Sequence, residues 1–460
     1  MAPVEILIVG CGIAGPTMAT FLLLIDDVPA AQKPRITVLE RASERVAHAR
    51  GQNIDVRGAG VTVLRRLGIE ALVRRSTTGE EGVRLVDERD RVWAESAAGP
   101  TGPTADIEIL RGRLSGICWG NCLRVERETG GQGGRGFEYI FGDYVEELDQ
   151  GNGDKVHVRF AKSGVRRSFD LVVGADGLHS RTRKLAWGKE GEKDRVRRLG
   201  MYAGFFSIPR EEKTDDQWRR WFHAPGRRGV MLRPDGTGTR TTVIMSVVKD
   251  SEKESEKLAE LAAKGHAGVS AQKALLEEHF RDAGWECERV LREMETTDDF
   301  YFDMVAQVKM DRWSKGRVVL LGDAGYCASP ISGLGTMLAF TAAYNLAGCL
   351  QDYIKGVTPD PSSGLAGYEA KMRPIVDEAQ GLAPGQAYLM HPETAWGIWT
   401  LHLFASFVFY MKKLSTFLGN LVFPRIGPQM ANDVPLADYG FKVMPEWEDL
   451  EEESLQRELK

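Results

Sequence analysis

The chain has 460 residues, 65 of them acidic and 60 basic, and a formal net charge of -5. That length exceeds what one core usually holds, so two or three domains are expected, and the weakly acidic balance excludes an electrostatic case for nucleic-acid binding. Cysteines at 11, 118, 122, 287, 327 and 349 show neither metal-ligand spacing nor a dense disulfide framework, so no metal site and reduced thiols in a cytoplasmic protein are expected.

The apolar run Ile6 to Val9 reads as a strand buried on both faces. Gly10, Gly12 and Gly15 follow at G-x-G-x-x-G spacing. Gly10 permits a tight turn, Gly12 lets backbone approach a pyrophosphate, and Gly15 lets a helix pack on the strand. Met18 to Ile25 supplies the apolar side of that helix. Its N-terminus offers unpaired N–H groups and a positive dipole end to phosphates. No basic segment precedes the first apolar run, so no signal peptide is expected. Arg35 to Leu39 reads as a second strand, ending in Glu40, whose carboxylate can accept ribose hydroxyls and would repel a 2'-phosphate. Strand, turn, helix, strand and terminal acid together predict a tightly held FAD or NAD.

Further along, Gly51-Gln52-Asn-Ile-Asp55 precedes a short helix from Val61 to Leu67 that Gly68 stops. Residues 82 to 96 alternate as a hairpin around Glu88 to Asp90 and carry Trp93. Glu108 to Leu114, with Arg111 inside, opens a helix bearing Cys118. A second formal G-x-G-x-x-G at 131, 133 and 136 follows charged residues and precedes no helix, so it reads as a loop. A second nucleotide signature runs from Asp170 through Gly174 to Asp176, Gly177, Arg181 and Arg183. Its strand is expected to deliver the aspartate and both arginines toward one crevice. A third, Arg317 to Leu321 with Gly322 and Asp323, is followed by Pro330-Ile-Ser-Gly333-Leu334-Gly335-Thr336 and a helix through Ala339, Ala343 and Ala347. Such a glycine-framed helix N-terminus suits the negative edge of a reduced flavin, which favours FAD over NAD.

In this order and spacing the three signatures resemble the group A FAD-dependent monooxygenases, the para-hydroxybenzoate hydroxylase type. Within that group the chain looks most like the TetX-like branch, from about Val4 to Tyr368-Glu369 and Arg373-Pro374. The resemblance implies an α/β fold: a Rossmann-like FAD-binding domain with an inserted antiparallel-sheet substrate domain and a C-terminal helical segment. The bounds expected are 1–73, 103–185 and 298–385 for FAD, 74–102 and 186–297 for substrate, and 386–460 for the C-terminal segment and tail. It implies that Gly10, Gly12, Gly15 and Glu40 hold the adenosine half and that Asp55 and Arg111 lie beside the cofactor. Asp323 falls on the ribityl or pyrophosphate region and Gly333 to Thr336 against the isoalloxazine. Asp176 belongs to a motif shared by FAD and NADPH, and Arg41, Gln52, Gly322, Pro330 and Leu334 complete the set. A basic NADPH contact falls on His48, Arg45 or Arg50.

The resemblance also implies a reaction. NADPH or NADH reduces FAD, and a flavin C4a-hydroperoxide hydroxylates a phenolic or polycyclic aromatic metabolite. Epoxidation, Baeyer-Villiger insertion or dehydrogenation on the same scaffold are rival activities, and a non-enzymatic carrier is a rival of another class. Residues 199–209, 218–223, 229–233 and 240–248 read as strands of a roof over the cofactor, with helices at about 253–265 and 269–282. Tyr202, Phe206, Phe222, Met231, Arg233 and Met245 are pocket candidates, although a register shift of one residue exchanges the two faces of a strand. His223 is either a base for a phenol or a surface residue beside Ala224-Pro-Gly226.

Trp396 to Met411 is apolar but contains His402 and is shorter than the roughly twenty residues a membrane span needs. A helix packed on the FAD domain or a dimer contact is expected, with peripheral membrane contact through 396–411 as the alternative. Monomer and homodimer both remain open. The acidic tail Glu446 to Glu453 is expected to fray.

Overall fold

The structure is a computed structural model that describes residues 2–29, 32–43, 51–99, 102–129, 136–417 and 434–447. Strand Glu5–Val9 is buried at all but its first residue, because both faces of its sheet are covered. It pairs in parallel with Arg35–Glu40 on one side and Leu171–Gly174 on the other, and Val318–Leu320 continues the parallel set. Val9 stands level with Leu39 and Gly174, and Gly174 with Leu320. The three signatures therefore end side by side at one edge, where open α/β sheets collect ligands. Phe137–Phe141 adds a parallel outer strand, and Ser314–Lys315 an antiparallel one.

One side of this sheet carries a small antiparallel sheet of Val145–Asp149, Val156–Phe160 and Arg166–Phe169, which the sequence did not announce. The other carries helices Ala14–Leu23, Arg111–Thr129, Gly335–Cys349 and Ser362–Ala379 around the largest core.

A second sheet has seven strands in the order Tyr301–Val308, Val196–Pro209, Arg240–Val248, Arg228–Pro234, Trp218–Ala224, Gly82–Val86, Val92–Ala97. The early hairpin joins strands more than a hundred residues later through a parallel pairing, Trp221 beside Leu85. Helices Glu252–Ala263, Val269–Phe280 and Cys287–Thr296 cover one face, the third of them unforeseen. Tyr202, Phe206, Phe222 and Met245 belong to the core beneath those helices, and the Tyr202 hydroxyl donates to Ser255 O at 2.6 Å. This corrects their expected place in the pocket. The helices return over the face that the largest apolar residues occupy, and alternation then sends each strand's next residue to the opposite side.

The two-stranded ribbon Asn53–Val56 with Ile107–Leu110 joins the two layers. Asn53 Nδ2 donates to Pro234 O at 2.8 Å, and Thr242 Oγ1 donates to Asn53 Oδ1 at 2.5 Å.

Helix Ala395–Phe417 lies against Val92–Ala97 and Trp218–Ala224, so it packs on the substrate sheet and not on the FAD layer as expected. Residues 434–447 return to the FAD layer as a strap. Met444 and Trp447 are buried there, and Tyr439 and Phe441 pack on Tyr344 and Phe21. Glu446 accepts from Ala71 N at 3.3 Å and so belongs to the strap, while 448–453 lie outside the described residues. Among the described residues no helix is long and apolar enough to cross a membrane.

Candidate active site

The glycines of the first turn divide into two kinds. Gly10 has φ +113°, and a Cβ there would collide with Ala175 O, while one on Gly15 would collide with Gly10 O. These two let strand, turn and helix close on one another. A Cβ on Gly12 would meet only the Arg111 guanidinium, at 4.0 Å, so Gly12 borders open space. Glu40 is aimed by the same turn: Oε2 accepts from Cys11 N and Oε1 from Ala42 N, both at 2.9 Å. A carboxylate has about four acceptor sites, which leaves capacity for ribose hydroxyls. Arg41 beside it is exposed. Arg45, His48 and Arg50 lie outside the described residues.

Asp176 is satisfied within its own turn. Its Oδ2 accepts from Arg181 N at 2.8 Å and Thr182 N at 2.9 Å, and its Oδ1 from Ser180 Oγ at 2.5 Å, so it anchors the start of helix Arg181–Trp187. The two arginines do not project into the crevice as expected. Arg181 donates to Val145 O at 2.6 Å. Arg183 is fully buried, donating to Ala324 O at 2.6 Å and Leu178 O at 2.8 Å and pairing with Glu192 at 2.5 Å. A buried guanidinium has to find partners for its donors, and Arg183 finds them by stitching the second signature to the third.

At the third signature, Gly322 has φ +66° and turns the chain into Asp323. Asp323 is open to solvent through the crevice yet surrounded by protein, and this desolvation pushes its carboxyl above the usual range, with Arg111 opposing. Arg111 thus stands where the first and third signatures meet, its N–H donating to Gln52 O at 3.0 Å. Ser329 Oγ accepts from Ile331 N to cap the turn Pro330–Ser332, Gly333 is left-handed, Leu334 is buried, and helix Gly335–Cys349 begins. Thr336 is buried in its first turn. A Cβ on Gly333 or Gly335 would meet nothing within 4 Å. Open backbone therefore recurs at both ends of the crevice, at Gly12 beside a guanidinium and at the donors of a helix N-terminus. An elongated dinucleotide, anionic at its pyrophosphate and at a reduced flavin, fits that donor set.

Above the crevice, Phe205, Trp221, Met231, Ile244 and Tyr301 are register neighbours on the face of the roof opposite its helices. Each is half-buried, whereas the apolar residues between them on the helix side are buried. Phe205 and Tyr301 stack with centroids 4.8 Å apart. The Tyr301 hydroxyl donates to Gln52 Oε1, and burial raises the pKa of the phenol. Of the expected pocket residues only Met231 lines this open face. Phe205, Trp221, Ile244 and Tyr301 were missed. The signal for the first three was the same alternation read one residue away.

Arg233 shares that face but is 6% exposed and enclosed in an ion cluster. Its Nε donates to Glu80 and its Nη2 to Glu108, each at 2.8 Å, and Arg219 reaches Glu80 at 2.7 Å. Burial pushes Glu108 up to about 8, with Glu80 adding to the rise and Arg233 opposing it. Glu80 stays down near 2 despite its burial, held by Arg233 and Arg219. Asp55 pairs with Arg57 at 2.9 Å and accepts from Ala105 N at 3.3 Å. Arg233 is therefore a tie between layers and not the open pocket residue expected, and Asp55 is likewise engaged by protein partners.

His223 is 3% exposed, its Nδ1 3.4 Å from His402 Nε2 and its ring 4.8 Å from that of Trp221 and 5.9 Å from that of His391. Burial, then His391 and His402, hold its pKa well below the ordinary value. It is a neutral imidazole under the C-terminal helix with no opening toward a phenol, which corrects both sequence readings, base and surface residue.

The family described as FAD binding domain matches residues 3–381. The FAD-dependent monooxygenase asL6 of Sarocladium schorii is 35% identical, over 82% of this chain and 86% of that protein. Monooxygenase CTB7 of Cercospora beticola is 33% identical, over 87% and 91%. Among solved structures, tetracycline destructase Tet(51) aligns with a TM-score of 0.69 at 26% identity, covering 95% of this chain and 100% of its own.

Proposed function

The chain belongs to the FAD binding domain family and is an FAD-dependent monooxygenase, and from that premise we propose that it hydroxylates a phenolic or polycyclic aromatic metabolite, with NADPH or NADH as reductant. Its membership sets the carrier reading aside. The observation that carries the proposal is the half-open apolar face of Phe205, Trp221, Met231, Ile244 and Tyr301, tied through Gln52 to the strand that also positions Arg111. Flat aromatic side chains with one polarizable methionine suit a flat, electron-rich ligand.

Bound FAD supplies hydride acceptance from the nicotinamide and activation of O2 for transfer of one oxygen atom. Gly10, Gly12, Gly15 and Glu40 would hold its adenosine half, Arg111 and Asp323 its middle, and Gly333, Leu334, Gly335 and Thr336 its ring end. Arg111 offsets pyrophosphate charge, and the N–H groups opening helix Gly335–Cys349 favour negative charge at the ring. The roof orients the substrate and excludes water over the reacting atoms. Tyr301 keeps its proton, because burial raises its pKa, and so remains a donor throughout the working range. In this proposal the ribbon at Asn53 and Glu108 is the joint between the two layers, and strand Tyr301–Val308, expected in the FAD-binding part, belongs to the roof sheet.

The test is nicotinamide oxidation by the purified flavoprotein across phenolic and polycyclic aromatic compounds, with product masses recorded. Stimulated oxidation with a product heavier by one oxygen supports hydroxylation. A product that has lost two hydrogens and gained no oxygen would assign a dehydrogenase. A mass gain on a non-aromatic alkene or ketone alone would assign epoxidation or Baeyer-Villiger insertion.

A further inference from the structure

Helix Ala395–Phe417 docks a polar side on the substrate sheet, where His402 meets His223 and Trp93, and Ser406 donates to Trp93 O. Another face of the helix is left exposed among the described residues. Trp396, Trp399, Leu403, Phe404, Phe407 and Tyr410 are 46% to 73% exposed and supply six of the eleven strongly exposed large apolar side chains among the described residues. Such a contiguous aromatic patch marks an interaction surface.

The spacing says what kind of surface it is. Trp396, Trp399, Leu403, Phe407 and Tyr410 follow one another at steps of three, four, four and three residues. Their mean step of about 3.5 residues keeps a seam facing a second helix. The step pattern reads the same from either end, centred on Leu403, which is the symmetry an antiparallel pairing of two identical helices requires. Between Ala395 and Met411 there is no Asp, Glu, Lys or Arg. Self-pairing therefore meets no like-charge repulsion, while the charged face of a membrane-surface helix is missing over that stretch. Covering the six side chains would remove on the order of 700 Å² per chain from water, close to the roughly 800 Å² per partner of a standard interface.

We infer that the chain forms a twofold dimer through this helix, with Leu403 against its own copy and Trp396 against the partner's Tyr410. The interface uses exposed side chains of helix Ala395–Phe417 and none of the cofactor or roof residues named above, so it does not rest on the substrate assigned above.

The test uses the full-length flavoprotein. Light scattering after size exclusion, at micromolar concentration, reads twice the single-chain mass for the wild type. It reads the single-chain mass for Trp399→Glu/Phe407→Glu, with flavin content unchanged. A short bis-maleimide cross-links Leu403→Cys between copies more than it does the wild type, whose cysteines are buried apart from half-buried Cys349. A single-chain mass for the wild type overturns the inference, whether or not that monomer floats with phosphatidylserine vesicles. So does a dimer that survives the double substitution, or no added cross-linking at Leu403→Cys.

Discussion

The Tyr301 hydroxyl donates to Gln52 Oε1, a bond between an edge strand of the roof and the segment that leads into the cofactor ribbon. Tyr301 also stacks on Phe205, so one side chain sets both the height of the roof and the orientation of its aromatic wall. Tyr301→Phe keeps the ring and removes the tie. Stability should fall by about 1 kcal/mol, with flavin retained and more of the consumed nicotinamide appearing as hydrogen peroxide. Unchanged coupling of reductant to product would deny Tyr301 a positioning role.

Phe205 and Phe206 are adjacent, identical in type and opposite in face. Phe206 is 4% exposed in the core beneath the helices, so Phe206→Ala should cost about 3 to 5 kcal/mol of stability. Phe205 is half-buried over the crevice, so Phe205→Ala should cost much less and instead raise the KM for the aromatic substrate. Denaturant melts and steady-state kinetics on the pair decide the register of the roof. The reverse pattern would place the pocket on the other face.

Gly12 offers a test of the cofactor cradle without a folding defect. Because only the Arg111 guanidinium lies near a Cβ there, Gly12→Val should melt close to the wild-type apoprotein yet purify with little flavin. Gly15→Ala, whose Cβ would collide with Gly10 O, should instead lose soluble yield. Full flavin occupancy in Gly12→Val would place the pyrophosphate elsewhere.

Acid should loosen the C-terminal segment. Burial lowers His391 to about 4, against about 6.5 in an unfolded chain. Between these values the unfolded state binds a proton that the folded state does not. The stability contribution is complete above about pH 6.5 and is lost as pH falls toward 4, on the order of 3 kcal/mol in all. His391→Gln, which can still reach Ser246, should therefore show a smaller drop in melting temperature from pH 7 to pH 5. The rise of Glu108 acts in the opposite sense, with stability falling as pH climbs from about 4.5 to about 8. It is common to both proteins and cancels in the comparison. Equal drops would mean that His391 titrates normally.

What was legible in the sequence was local. The glycine turn, Glu40, the small-residue turn at Asp323 and the Gly333 to Thr336 helix start are short spacings with one physical purpose each, and the parallel register brings them together. The roof strands were legible as strands, but which face each turned inward depended on helices some fifty residues later. The carboxylate of Asp176 and the guanidinium of Arg183 looked like ligands because their partners, Thr182 N and Ala324 O, are backbone atoms invisible to residue patterns. The strap at Tyr439, Phe441 and Trp447 pairs with residues more than ninety positions away, a separation no local period reports.

The proposed reaction transfers one atom of oxygen from O2 to an aromatic ring held under Phe205, Trp221 and Tyr301. The most direct measurement is the mass of the product formed under ¹⁸O2 with NADPH and an accepted phenol. The expected product is a hydroxylated ring carrying one heavy oxygen. A product whose new oxygen is light, drawn from water, or an oxidised product with no new oxygen at all, would contradict it.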